Sequence, residues 1–334
     1  MMRLATYNIE WMNTLFDDAG ALLRDAEWSG RYDVRRGDQI DALAGVFRTL
    51  DADAVLVIEA PDQGRARSTV TALENFAAYA DIRARKAIIG FPNDTQQEIA
   101  LLYDPDALTV RHDPQSADNA PRFDTTFALD LDIDAKKDKV TFSKPPLELV
   151  IDTAEGAQFR MIGAHLKSKA PHGAKTRDAV LRISIANRRK QLAQAIWLRA
   201  RIDAHLAQGT PLLVMGDLND GPGLDEYEHL FGRSSVEIIL GAGDTALFDP
   251  HARQALQRRL GAMPTTARFW IRPEKRFLQA LLDYIMVSPD LAARNGRWRI
   301  WHPLDDPECW ARPDLRDALV TASDHFPVSL DIDL

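Results

Sequence analysis

Along these 334 residues, short apolar runs repeatedly meet a polar side chain with chemical potential, from residue 8 to residue 325. Asn8 closes RLATYNI, Glu59 closes AVLVIE, His165 closes FRMIGAH, and Asp217 with Asn219 closes PLLVMGDLN. Asp283 opens DYIMV, and Asp324-His325 opens FPVSLDIDL. Short apolar, β-branched runs bounded by Pro, Gly or Asp read as buried strands. If the first four run one way and the last two the other, their ends and starts meet along one sheet edge. The meeting point gathers carboxylates, an amide and two imidazoles. That donor set suits a hard, oxygen-ligated cation and a water-activating dyad, so an enzyme is expected.

Composition narrows the class. The chain is 46% hydrophobic and 27% charged, enough to bury a large core. A net charge of -8 argues against a protein that coats nucleic acid, but allows an enzyme that meets it through a local basic surface. The lone Cys309 excludes an intrachain disulfide and a Cys-rich zinc site. A strand-like run begins at Arg3 without an apolar leader, and no run is long enough to cross a bilayer, so a cytoplasmic protein is expected. Length alone suggests roughly two domains. With no linker or internal repeat, residues 1–334 are expected to form one, and no obligate protein partner is indicated.

Ile40, Leu43, Phe47 and Leu50 recur at helical spacing, predicting an amphipathic helix over about 36–51. Strand-like runs fall near 98–103, 124–131, 146–152 and 157–165. A long helix is expected over about 174–207, with Leu181, Ile185, Leu192 and Ile196 on its apolar face. Polar, Pro-containing stretches near 90–97, 112–122, 261–267 and 303–314 read as surface loops. Strands apolar on both faces, mixed with helices, imply sheets covered by helices.

Taken in order, TYNIEWM, VIEA, HLKSK, GDLND, LLDYIMV and SDHFPV resemble the endonuclease/exonuclease/phosphatase superfamily, which includes deoxyribonuclease I, abasic-site endonucleases, sphingomyelinases and inositol polyphosphate phosphatases. Either GDLND or SDH alone is a weak signal; all six in order over nearly the whole chain are specific. The resemblance implies an α+β fold, a four-layer α/β/β/α sandwich of two packed, mainly antiparallel sheets flanked by helices, with the site where loops meet at one end of the sheets. It also implies Mg²⁺ or Mn²⁺ as cofactor and a phosphoester as substrate.

On that resemblance, Glu59 is the principal metal ligand; the alternative is a salt bridge, since a carboxylate ending a buried run needs a partner. Asn8 is a metal-side or phosphate-side amide and otherwise a turn residue. Glu10 is equally a metal-side acid or a solvated group, and Asp324 is a ligand or stands just behind one. Two residues apart in an extended segment, Asp217 and Asn219 would project together, one orienting water and the other donating to a phosphoryl oxygen. Asp220 reads as turn chemistry. Asp283 is expected to hold one nitrogen of His325, fixing its tautomer. His165 is expected at the scissile phosphate or leaving group, or else as a buried, hydrogen-bonded histidine.

Several other patterns read as structure. Gly241–Ala246 fits a dinucleotide glycine pattern but lacks the following helix and acid, so a turn is expected. No G-x-S-x-G or H-E-x-x-H occurs, and His112, His172, His205, His229, His251 and His302 show no ligand spacing. In the basic segment after His165, helical winding puts Lys190 and Arg201 opposite the apolar face and Arg188 and Arg199 on it as paired groups. Lys167, Lys169 and Lys175 remain as candidates for gripping DNA or RNA. A nuclease or other phosphodiesterase is the leading expectation. A phosphomonoesterase or sphingomyelinase-like lipid enzyme is the alternative within the chemistry, and an inactive binding module the alternative outside it.

Overall fold

A computed structural model describes residues 1–129, 138–171, 173–221, 232–257, 263–271 and 275–334. The strands are β1 (Met2–Asn8), β2 (Ala54–Ala60), β3 (Lys86–Ile89), β4 (Glu98–Tyr103), β5 (Leu108–His112), β6 (Phe127–Leu129), β7 (Asp138–Val140) and β8 (Leu147–Thr153). They continue with β9 (Gln158–His165), β10 (Leu212–Asp217), β11 (Ala267–Ile271), β12 (Arg276–Ala280), β13 (Asp283–Val287), β14 (Arg297–Ile300) and β15 (Val328–Ile332). Helices are α1 (Arg36–Leu50), α2 (Thr69–Ala80), α3 (Arg177–Leu206), α4 (Ser235–Leu240), α5 (Pro250–Leu256), α6 (Pro289–Ala292), α7 (Pro307–Ala311) and α8 (Pro313–Ala322).

Two sheets carry the architecture, ordered β14-β15-β1-β2-β4-β3 and β13-β10-β9-β8-β5. Both are mainly antiparallel, each with one parallel pair, β1–β2 and β9–β10. Strand alternation explains why their sequences are apolar on both faces. Leu56 and Ile58 of β2, Met161 of β9 and Met215 of β10 point into the space between the sheets. Val55 and Val57 instead meet Leu43, Phe47 and Phe76 of the helices on one side, together with Leu319 of α8. Ile162 and Val214 meet Leu192, Trp197 and Ile202 of α3 on the other. The result is the expected helix–sheet–sheet–helix sandwich. Among the described residues, no helix is long and apolar enough to cross a membrane.

The α1 and α3 boundaries lie close to the periodicity, but the apolar face of α3 does not. Leu181 is 46% exposed, whereas Trp197 and Arg201 are fully buried. The first turns of α3 are largely exposed, Val180 as well as Leu181, so apolar spacing there covers no core. Arg201 is therefore not solvated: its Nε lies 3.0 Å from Glu148 Oε1, both buried. The stretch 303–314, expected to be loop, contains α7 and the start of α8. Asp306 caps α7 through the Glu308 and Cys309 amides, and Pro307 and Pro313 start the two helices. Val236–Leu240 is also helical, with a Ser234/Glu237 capping box, followed by the expected turn at Gly243–Thr245. The β11–β12 hairpin carries no strong sequence signal. Residues 130–131 of the expected 124–131 strand, residues 261–262 of the expected 261–267 loop, His172 and His229 lie outside the described residues.

Gly163 shows how closely the sheets approach. A Cβ there would lie 2.5 Å from Leu56 Cδ1 and 3.3 Å from Ile99 Cγ2, across the intersheet space. Overpacking of this kind costs about 1–3 kcal/mol. Gly163→Ala should lower the urea midpoint accordingly with the slope unchanged. In a Leu56→Ala background the same change should cost less, because the clashing methyls are gone. Equal costs in both backgrounds would show that the sheets are not packed as described.

Candidate active site

The polar motifs meet at one end of both stacked sheets, as the family resemblance implies, and not along the edge of a single sheet, as strand order alone suggested. Asn8, His165 and Asp217 stand at the ends of β1, β9 and β10, and Asp283 starts the antiparallel β13. All four occupy registers that face the intersheet core: Asn8 follows Leu4, His165 follows Met161, Asp217 follows Met215, and Asp283 precedes Ile285. The site is the polar end of that core. His165, Asp217 and Asp283 lie abreast, because Asp217 pairs with both of the others across neighbouring strands.

Asp217, 1% exposed, is the hub. Its Oδ2 accepts from Asn8 Nδ2 at 3.0 Å and Asn219 Nδ2 at 3.2 Å, and its Oδ1 accepts from the Asn219 amide at 2.7 Å. The backbone at Asn219 is left-handed (φ 50°), not extended, so the two side chains converge through an Asx-type turn. Both Asn219 side-chain hydrogens are engaged, one by Asp217 and one by Leu166 O at 3.1 Å. Burial pushes the Asp217 carboxyl up to about 7, against the pull of His325 and its amide donors.

Two imidazoles flank this carboxylate. His165 Nε2 lies 3.6 Å and His325 Nε2 4.0 Å from Asp217 Oδ2. The expected Asp283–His325 contact is present, Nδ1 to Oδ2 at 2.7 Å, and Thr266 Oγ1 donates to the same oxygen at 2.8 Å. Burial would lower the His325 pKa, but Asp283, Asp217 and Asp324 hold it well above its ordinary value. His165 goes the other way: burial, then Lys144, His325 and Lys167, keep it neutral. Environments that push two like groups apart favour separate roles for them.

The acids gather on the other side. Glu59 sits on a bulge in β2 with φ 62°, and its Oε2 accepts the Trp11 amide at 3.0 Å. Burial raises the Asp324 carboxyl to about 7; His325 opposes this, while Glu10 and Glu59 add to it. Glu10 is paired with Arg31. Asn8 Oδ1 is buried without a hydrogen-bond partner among the described residues. Asp217, Asp283 and His325 also offer ligand atoms within 4.8 Å of one another, but His325 and Asp283 are engaged with each other there.

The family model for the endonuclease/exonuclease/phosphatase family matches residues 5–325. The chain belongs to this family. Structures similar in fold include TDP2 from C. elegans (15% identity, 98% of this chain and 74% of that one, TM-score 0.51) and an AP endonuclease from Archaeoglobus fulgidus (12%, 100% of both, 0.51). A humanized D. rerio TDP2 is similar as well (11%, 100% of this chain and 99% of that one, 0.50). No curated protein matches the chain in sequence.

Family motifs did not point to Lys144, in the loop before β8. Its Nζ lies 3.3 and 3.4 Å from the two ring nitrogens of His165. Burial lowers its pKa, while Glu59 and Asp217 raise it, so it faces the centre of the site. The Lys-Pro-Pro that ends its loop, just ahead of an apolar strand, was the available signal. Of the three lysines the sequence suggested, half-buried Lys167 lies nearest, within electrostatic reach of His165. Lys169 instead donates to Asp220 Oδ1 at 2.8 Å, and Lys175 is exposed ahead of α3.

Asp220 supports the hub from behind. It accepts from Arg188 Nη1 at 2.5 Å and from the Ser235 amide at 2.6 Å, with Arg188 and Asp220 both 0% exposed. Burial alone would raise its carboxyl, but Lys169 and Arg188 hold it below the ordinary carboxylate range. The charged form therefore stabilises the fold above the unfolded-state pKa, and this is lost as pH falls through the lower folded value. Removing one member of such a pair strands the other charge, at about 3–5 kcal/mol. Asp220→Asn should lose that much in urea titrations at neutral pH and less in strong acid. A loss independent of pH would exclude the ion pair as its source.

Proposed function

We propose that this protein is a divalent-metal-dependent phosphodiesterase of nuclease type, cleaving by in-line attack of water. The observation that carries this reading is the Asp217 hub, with the Asp283–His325 pair on one flank and His165 with Lys144 on the other. A cation fits the acidic side, where Glu59 and Asp324 lie within electrostatic reach of each other and Asn8, paired with Ile58 next to Glu59, has an Oδ1 without a partner among the described residues. Glu59, Asp324 and Asn8 Oδ1 would hold Mg²⁺ or Mn²⁺, hard ions that take oxygen ligands. Arg31 already neutralises Glu10, which leaves it a supporting part. When bound, the ion would neutralise charge on a phosphoryl oxygen.

The chain's own residues account for the rest. Asp217, fixed by three donors, orients the attacking water and takes its proton. The water oxygen bonds to phosphorus as the opposite P–O ester bond breaks. His325, held through Nδ1 by Asp283, presents Nε2–H to a nonbridging oxygen. His165 and Lys144 stand by the phosphoryl or leaving oxygen, with Lys167 beside them. Asn219 acts chiefly by holding Asp217, since both of its side-chain hydrogens are engaged there.

Glu59→Gln keeps the shape but removes a ligand charge. It should leave the circular dichroism spectrum intact, weaken Mn²⁺ binding in calorimetry and sharply reduce hydrolysis of bis-p-nitrophenyl phosphate. Full wild-type turnover after exhaustive chelation would sink the metal-hydrolase reading. A panel adding DNA, RNA, p-nitrophenyl phosphate and sphingomyelin separates the diesterase from phosphatase and lipid-directed chemistry.

Residues that act as one unit show strongly non-additive losses. Asp283→Ala with His325→Ala should therefore cost far less in kcat than the product of the two single losses. Losses that multiply would mean that Asp283 does not work through His325.

A further inference from the structure

Between β1 and α1 the chain builds a small aromatic rim beside the acids, and the catalytic reading gives it no task. Trp11, whose amide binds Glu59, is 44% exposed; Trp28 is 54% and Tyr32 73% exposed. Trp28 and Tyr32 belong to a short hairpin in which Trp28 pairs with Arg35 and the Ser29 amide donates to Val34 O at 3.0 Å. The hairpin sits directly on Trp11. A Cβ on Gly30 would lie 2.5 Å from Trp11 Cβ, and the Gly30 amide donates to Thr14 Oγ1 at 2.8 Å. Arg31 pins the far side, bonding to Glu10 and to Val320 O at 2.8 Å. The rim is thus held at both flanks, against the metal-side acids.

We infer that this rim is a stacking platform for unpaired nucleobases of a nucleic-acid strand whose backbone occupies the site. The inference depends on the phosphodiesterase reading and names its substrate class. The chemistry of the surface favours bases over other apolar ligands. The Arg35 guanidinium lies 3.2 Å from the Trp28 ring centroid, a flat cation on a flat ring. Among the described residues Arg35 forms no ion pair, so its charge is open to a phosphate. Bases stack on aromatic and guanidinium planes alike, in a sequence-tolerant way. A duplex keeps its base faces stacked internally and offers the rim only edges and backbone. A strand with unpaired bases therefore gains most from it.

Stacking on one ring contributes ~1–3 kcal/mol per base, which at ~1.4 kcal/mol per tenfold is about 5- to 140-fold in affinity. The test is fluorescence anisotropy of a short single-stranded oligonucleotide in chelator, where turnover cannot interfere. Trp28→Ala should weaken binding within that range and Trp28→Phe should largely restore it, with the thermal midpoint unchanged in both. An abasic oligonucleotide of equal length should bind wild type and Trp28→Ala alike. Equal affinity of Trp28→Ala and wild type for the base-bearing strand would overturn the platform. So would a loss confined to sphingomyelin vesicles, which would assign the rim to lipid, or an equal loss for the abasic strand. Wild-type turnover of bis-p-nitrophenyl phosphate keeps the two readings apart. If it is metal-dependent while the oligonucleotide results fail, the platform alone falls; if it is absent, the diesterase reading falls first.

Discussion

An ionised carboxylate as buried as Asp217 is tolerated only where donors replace its lost water. Asn8 and Asn219 supply those donors, and they come from different parts of the fold. Asn8 ends β1 in one sheet and Asp217 ends β10 in the other, so their hydrogen bond closes the open end of the sandwich. The contact propagates. Asn8 O accepts from Ser323 Oγ at 2.8 Å, and the same hydroxyl accepts the His325 amide at 3.1 Å. His325 then reaches Asp283, and Asp283 reaches Thr266. A ring of buried polar groups links the N-terminal strand, the C-terminal strand and the second sheet.

Charge is sorted across that ring. Glu10, Glu59 and Asp324 crowd one side, while Lys144, His165 and Lys167 occupy the other. On the proposed function, a phosphodiester lying across Asp217 would meet cationic side chains at one flank and, through a bound cation, the acids at the other. Charges that would repel this arrangement are neutralised locally: Arg31 covers Glu10, and Arg188 with Lys169 covers Asp220. On the proposed function, these local pairings would leave the central field to act on a bound phosphoester.

Much of this was legible in the chain. The strand runs locate β1, β2, β9, β10 and β13 and put Asn8, His165, Asp217 and Asp283 at their ends; that these side chains share the row facing the intersheet core came from the packing, because the strands are apolar on both faces. The Asp283–His325 contact was also expected from motif order. Lys144 was not, because a lysine in a loop has no periodicity to betray its direction. The reading of α3 held in part: Arg188 and Arg199 are paired and Leu192 is in the core as expected, but Leu181 is exposed and Arg201 buried, because helical spacing gives relative angles and not what each turn packs against.

The sequence by itself determined the alternation of buried strands and the polar residue at each strand end, since both follow from local spacing and side-chain chemistry. It did not determine which strand ends belong to which of the two sheets, nor that the Asn219 backbone turns left-handed to bring its amide onto Asp217. Nor did it reveal which charges would be consumed: Arg201 by Glu148, Lys169 by Asp220, Glu10 by Arg31. Those ion pairs join residues roughly 20 to 50 positions apart in the chain, beyond the reach of local spacing. An ion pair is made by distance in space, and only the packed sandwich sets that distance.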